Sequence, residues 1–297
     1  MAKLEKLVDK VDSCRKRLAK IPILLRRFRQ SIIEHACSGR LIDAEGQADW
    51  QVVSLGDVIT EIEAGRSFRC EERPPSRGET GIAKVSAVTW GEYNDAESKT
   101  CLDTSRIEPR FVIRPGDFLF SRANTINLVG ACVIVRTTTK RVMLSDKILR
   151  IGFDARVLPE WVLYWLRSQF GREEIERLST GNQESMRNIG QDRIKKIEIH
   201  LPPLPIQARI LTNAERLLAS AKAIETRYRR GKYYFDNLEQ SVLAKAFRGE
   251  LVPQDPTDEP ATVLLERIRE ARAIQPANRS RRKLNQSGPR STEKCVG

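Results

Sequence analysis

An α+β architecture is expected for this chain of 297 residues: a mixed α/β domain with a β-sheet, flanked by two long helices forming an antiparallel coiled-coil spacer. Three observations lead there. Apolar residues recur every three or four positions at both flanks, a stretch of sequence is duplicated 210 residues apart, and the interval between the copies is made of short β-branched runs separated by turn clusters.

Leu4, Leu7, Val11, Cys14, Leu18, Ile21, Leu25, Phe28 and Ile32 alternate spacings of three and four, the seam of a helix that supercoils against a partner. The helix should run from about residue 4 to 38, about 50 Å at about 1.5 Å per residue. Its end, Phe28 to Ile42 (FRQSIIEHACSGRLI), reappears without a gap as Leu238 to Val252 (LEQSVLAKAFRGELV). The offset is a whole number of heptads, so Ala214, Leu217, Ala221, Ile224, Tyr228, Gly231, Phe235, Leu238 and Val242 carry the same seam in phase. Leu18, Leu25, Phe28 and Ile32 of the first helix, with Ile224, Phe235, Leu238 and Val242 of the second, are the expected packing residues. Pro22 and Gly231 should bend or loosen their helices, while Gly39 and Gly249 stand where a left-handed C-cap residue belongs.

Between the helices, Trp50 to Ile59, Ile82 to Val88, Phe118 to Ser121, Val129 to Val135 and Ile148 to Gly152 read as strands. Turn clusters such as RPPSRGETG and RPGD separate them. Trp161 to Leu178 reads as a helix, and Ile194 to Leu201 returns to alternation before Pro202 and Pro203 close the domain. The expected organisation is a helix over residues 1–45, a domain over 46–203, a second helix over 204–255, and a short helix with a basic tail over 256–297. PQDPTDEP is read as a linker, Ala261 to Ala271 as the short helix, and the tail around Arg281, Arg282 and Lys283 as a solvated end.

Charge narrows the function. Fifty-two Lys and Arg against 39 Asp and Glu give a net +13, which makes polyanions expected partners. The excess sits on the helical flanks and the tail, and the middle is near neutral but turns basic over residues 102–156. Six cysteines (14, 37, 70, 101, 132 and 295) form no C-x-x-C pair, and His35 and His200 add no zinc pattern. No signal segment or membrane-length apolar run is read, so a cytoplasmic protein with reduced thiols and no membrane partner is expected.

Catalytic signals are missing. There is no phosphate loop, dinucleotide fingerprint, G-x-S-x-G or H-E-x-x-H, and neither Pro-Pro pair fits the base-holding element of a DNA methyltransferase. Glu97-Ser98-Lys99 is too short to argue a nuclease site, and both histidines read as structural. Groups that bind are more visible. Phe118 to Gly130 (FLFSRANTINLVG) offers Arg122, Asn124, Thr125 and Asn127 in a loop after a strand; Thr180 to Asn188 offers Gln183, Arg187 and Asn188; Lys84, Ser86 and Trp90 lie in or after an earlier strand. Arg can donate twice to guanine and Asn or Gln can pair with adenine, so these types suit reading of base edges.

Several strings resemble specificity subunits of type I restriction-modification systems. LPPLPIQARI at Leu201 to Ile210 and LAKAFRGELVPQDPTDEPATVLLERIRE at Leu243 to Glu270 resemble their distal conserved region. FRQSIIEHACSGRL resembles the central conserved region, and RPGDFLFSR at Arg114 to Arg122 a strand of their target recognition domains. Ile206 departs from the usual Glu of that motif. The resemblance implies a non-catalytic subunit without a cofactor of its own, which reads one half of a bipartite target on double-stranded DNA. Its implied partners are methyltransferase (modification) subunits and, through them, restriction subunits. Family members carry two recognition domains and this chain carries one, so it is either a half-sized subunit that forms a self-dimer or part of a longer one. A stand-alone nuclease or methyltransferase and a coiled-coil scaffold without DNA contact are the rival readings.

Overall fold

A computed structural model describes residues 2–42, 50–181, 183, 186–250 and 259–274. The chain divides into two compact units, residues 1–234 and 235–297. Helix α1 (Ala2–Cys37) and helix α5 (Leu204–Phe247) are 36 and 44 residues long, and both continue through Pro22 and Gly231. Both stop as expected: Gly39 has φ +75° and Gly249 φ +72°, where a side chain would be strained. Gly39 N–H donates to Ala36 O and Gly249 N–H to Ala246 O, so the two copies of the repeat share one cap.

The first unit holds strands β1 (Gln51–Ser54), β2 (Ile59–Ala64), β3 (Cys70–Glu71), β4 (Gly81–Ala83), β5 (Ser98–Cys101), β6 (Phe118–Ser121), β7 (Ala123–Asn124), β8 (Cys132–Ile134), β9 (Val142–Met143) and β10 (Ile148–Phe153). Helices α2 (Pro159–Arg167) and α3 (Gln169–Leu178), β11 (Arg187–Asn188), α4 (Gln191–Ile194) and β12 (Glu198–Leu201) follow, leading into α5. The second unit holds the end of α5 and helix α6 (Ala261–Ile274). The fold is α+β. Two four-stranded sheets, β2-β10-β6-β8 and β3-β5-β4-β9, are accompanied by two-stranded ribbons β1-β12 and β11-β7; among the described strands only β4-β9 is parallel.

The sheet containing β6 is buried on both faces, which explains its unbroken apolar sequence. Alternate side chains divide between two cores. Phe118, Phe120, Cys132 and Leu149 face the core containing Trp161 and Leu166, while Leu119, Val133 and Ile148 face the core containing Ile82, Met143 and Leu144. Ile32, Ala36 and Cys37 of α1 and Ile210, Leu211 and Ala214 of α5 enter the first core, so the long helices are rooted in the domain. Gln207, fully buried, secures α5: it accepts from Leu158 N–H at 2.9 Å and donates to Arg156 O at 3.0 Å and Pro202 O at 2.7 Å.

Several expectations are corrected. Trp50 to Ile59 is not one strand, because the chain turns at Leu55–Asp57, where Gly56 presses against Lys195; a Cβ there would lie 2.9 Å from that of Lys195. Ile82 to Val88 is strand only at its start and then a 3₁₀ turn. Trp161 to Leu178 is two helices. Ser168 ends α2 and caps α3 by accepting from Gly171 N–H, and Gly171 allows the close approach of the Trp165 carbonyl. Ile194 belongs to a helical turn, and only Glu198–Leu201 alternates as a strand. The proposed linker PQDPTDEP, apart from Glu259 and Pro260, and the basic tail with Cys295 lie outside the described residues. No helix among the described residues is long and apolar enough to cross a membrane.

Candidate nucleic-acid interface

Two stretches read separately in the sequence meet in one ribbon. β7 pairs antiparallel with β11, placing Arg187 opposite Asn124 and Asn188 opposite Ala123. The pairing is anchored at its base, where Ile189, fully buried, donates its N–H to Arg122 O at 2.9 Å. Arg122, Asn124, Thr125, Asn127, Gln183, Arg187 and Asn188 thus belong to one surface element.

The loop after β7 is held from behind. Thr125 O accepts from Leu128 and Val129 N–H, closing a turn, and Gly130 (φ +78°) ends it against Ile175. Trp90 donates its indole N–H to Asn127 O at 2.8 Å, and the Arg172 guanidinium stands 4.7 Å from the Trp90 ring while donating to Ile126 O and Val129 O. Burial pulls the Arg172 pKa down. The loop's carbonyls are therefore occupied, and Asn127 stays exposed. Asn124 Oδ1 accepts from Thr125 N–H at 2.8 Å, which leaves its amide N–H groups and one lone pair to bind.

The other residues divide by role. The Arg187 guanidinium donates to Gly181 O at 2.7 Å and to Ser179 Oγ and O, so it braces its own loop. Trp90 likewise supports the loop from behind. The Arg122 side chain has no ion-pair partner among the described residues. Lys84 and Ser86 are not part of the ribbon and line a groove of about 650 Å³ that Lys99 and Lys147 also line. Ser86 donates to Glu97, and Glu72 pairs with Lys84 at 3.4 Å and with Lys99. Those contacts, from Lys99 foremost, hold the Glu72 carboxyl below its usual range. Sequence reasoning missed Arg172, Lys147 and Met186. Met186 is 70% exposed beside β11, and an exposed apolar residue in a polar loop was the available signal.

Of the predicted packing residues, Leu25 and Ile32 are buried; Leu18, Phe235 and Val242 are half-buried; Phe28, Ile224 and Leu238 are exposed. Polar contacts among the described residues link the long helices and their ends within the first unit. Arg29 pairs with Glu225, and Asn213 donates to Leu41 O at 3.0 Å. Beside the first of these, Leu25, Arg26, Tyr164 and Tyr228 line a cleft of about 730 Å³.

No group of three or more His, Cys, Asp or Glu side chains able to hold a metal occurs among the described residues. Burial pushes the Cys132 thiol up to about 11 and the Cys101 thiol to about 12, so neither is a thiolate nucleophile at neutral pH. His35 Nδ1 lies 2.7 Å from Ser31 O on its own helix, and His200 stacks on Trp165.

Residues 47–230 match the family model described as type I restriction modification DNA specificity domain. The chain belongs to that family. The specificity subunit of the type I restriction enzyme EcoKI from Escherichia coli K12 is 31% identical over 302 residues, spanning 95% of this chain and 63% of that protein. Two solved structures share the fold of this specificity-domain chain. The crystal structure of the HsdS subunit from Thermoanaerobacter tengcongensis has a TM-score of 0.51 and 22% identity, covering 84% of this chain and 57% of that one. A chain from a structure addressing complex assembly and conformational transition of the type I R-M system has a TM-score of 0.53 and 20% identity, covering 83% and 59%. The chain thus spans about three fifths of the length of these relatives.

Proposed function

We propose that this chain is the specificity subunit of a type I restriction-modification complex, reading one half of a bipartite double-stranded DNA target and contributing no catalytic group or cofactor. The observation that carries this reading is the β7/β11 ribbon, which gathers Arg122, Asn124, Thr125, Asn127, Gln183 and Asn188 from two distant segments onto one edge. A two-stranded ribbon fits the major groove, and these side chains supply the donors and acceptors that distinguish base pairs there. Arg187 and Trp90 act as supports for that edge.

The long helices serve as an antiparallel coiled-coil spacer that also carries the modification subunits. Two facts support this: Arg29–Glu225 and Leu41–Asn213 run in opposite chain order, and the similar EcoKI protein is named a subunit of a restriction enzyme. The specific partners are methyltransferase subunits and, through them, restriction subunits.

The test begins by selecting a preferred duplex from a random library, with modification subunits present. Arg122→Ala should then weaken binding to the selected duplex about fivefold or more, as expected for a lost bidentate contact of roughly 1 to 3 kcal/mol, and leave random-sequence DNA nearly unchanged. Equal loss on both would reduce Arg122 to a phosphate contact, and absence of any selected sequence would overturn the reading.

A further inference from the structure

We propose that the turn Ser145–Asp146–Lys147 and the groove above it seat a phosphate of the DNA backbone, with Lys147 fixing where the β7/β11 ribbon meets the bases. This rests on the DNA-reading role argued above and adds a positioning site that the sequence did not single out.

The groove adjoins the ribbon through one bond: Arg122 N–H donates to Lys147 O at 2.9 Å. Lys147 has no ion-pair partner among the described residues, although Glu72 and Asp146 line the same groove. Asp146, next in sequence, accepts from the Ser67 hydroxyl, and Glu72 is shared between Lys84 and Lys99. Three lysines and these two carboxylates line the groove, Glu97 reaches it through Ser86, and Lys147 is its uncommitted charge. Ser145 also lines the groove; it is 5% exposed, and its hydroxyl oxygen is buried with no hydrogen-bond partner among the described residues. A buried hydroxyl without a partner is costly in an isolated protein and points to a ligand that completes it.

The turn is built to hold its position. Gly65 packs so tightly on the preceding residue that a Cβ would lie 2.0 Å from Leu144 O, and Leu144 N–H donates to Phe111 O on its other side. A lysine on a fixed turn, one backbone bond from a candidate base reader, divides the labour as protein–DNA interfaces do: phosphate contacts set register, and base contacts specify sequence.

The full chain, with its modification subunits, is titrated with the selected duplex and with random-sequence duplex from about 50 to 200 mM salt. Lys147→Gln should lower the slope of log affinity against log salt by about 1 and weaken both duplexes by the same factor, while Lys147→Arg keeps the wild-type slope. Unchanged thermal melting of both variants shows that the turn is intact. An unchanged slope in Lys147→Gln, with the wild type still preferring the selected duplex, overturns this proposal alone, as does a loss confined to the selected duplex. A wild type without DNA affinity overturns both this site and the reading on which it rests.

Discussion

Gln207 shows how much one polar side chain does here. It is fully buried where α5 leaves the domain, and it occupies one amide N–H and two carbonyls from three separate residues. Gln207→Met keeps length and apolar bulk but strands those three groups. It should cost about 3 kcal/mol, toward the upper end for buried unsatisfied groups, read as a lower urea midpoint at unchanged slope. The motif around this glutamine was visible in the sequence, but its geometric role was not, because Leu158 and Arg156 lie about fifty residues away. Arg187 was obscured over a shorter range, because its partners lie six to eight residues back and only the folded loop presents their carbonyls. Its residue type suits a base reader, yet the carbonyls at Ser179 and Gly181 claim its donors first. Ile206, where the family resemblance expects Glu, packs half-buried against the main core.

Among the elements, those with a local period were the legible ones. Both long helices and β6 follow from spacing and apolar runs, and both glycine caps follow from position. The short strands β3, β5 and β9 were not seen, since two to four residues carry no period and their pairing is set by distant partners. The break between α2 and α3 was hidden because Ser168 and Gly171 fit inside a helical pattern until packing makes one a cap and the other a close contact. The loop after β7 was half legible: its side chains and Trp90 were named, whereas the packing of Trp90 behind it and the contribution of Arg172 depend on other elements. Gly130 closes that loop onto α3 with φ +78°, and a Cβ there would meet Ile175 Cγ2 at 2.7 Å. Gly130→Ala should therefore cost about 2 kcal/mol from the left-handed backbone alone, with more from the clash. Faster amide exchange over residues 122–130 than over β6 would place the damage in the reading loop.

For the molecule as a whole, the repeat sets the last question. Two copies of one segment share a seam and a cap, yet their surroundings differ. Ile32, Ala36 and Cys37 of the first copy are buried in the domain core, while at the matching positions of the second copy Val242 and Ala246 are half-buried and Phe247 is 90% exposed. Leu238 and Leu243 on the same helix are also exposed. An apolar surface of this kind marks an interface. The first copy is covered by the mixed α/β domain, so the second is expected to take the same kind of cover, and a second copy of this chain would supply it symmetrically. The full chain should therefore be a dimer at micromolar concentration by light scattering. Leu238→Glu with Phe247→Glu should yield monomers whose domain melts as before, because neither residue belongs to either core. Two-fold pairing also fixes the form of the target: two copies of one reader facing opposite ways select an inverted repeat with a spacer. A wild-type monomer together with an asymmetric selected sequence would show instead that the cover comes from a different recognition domain.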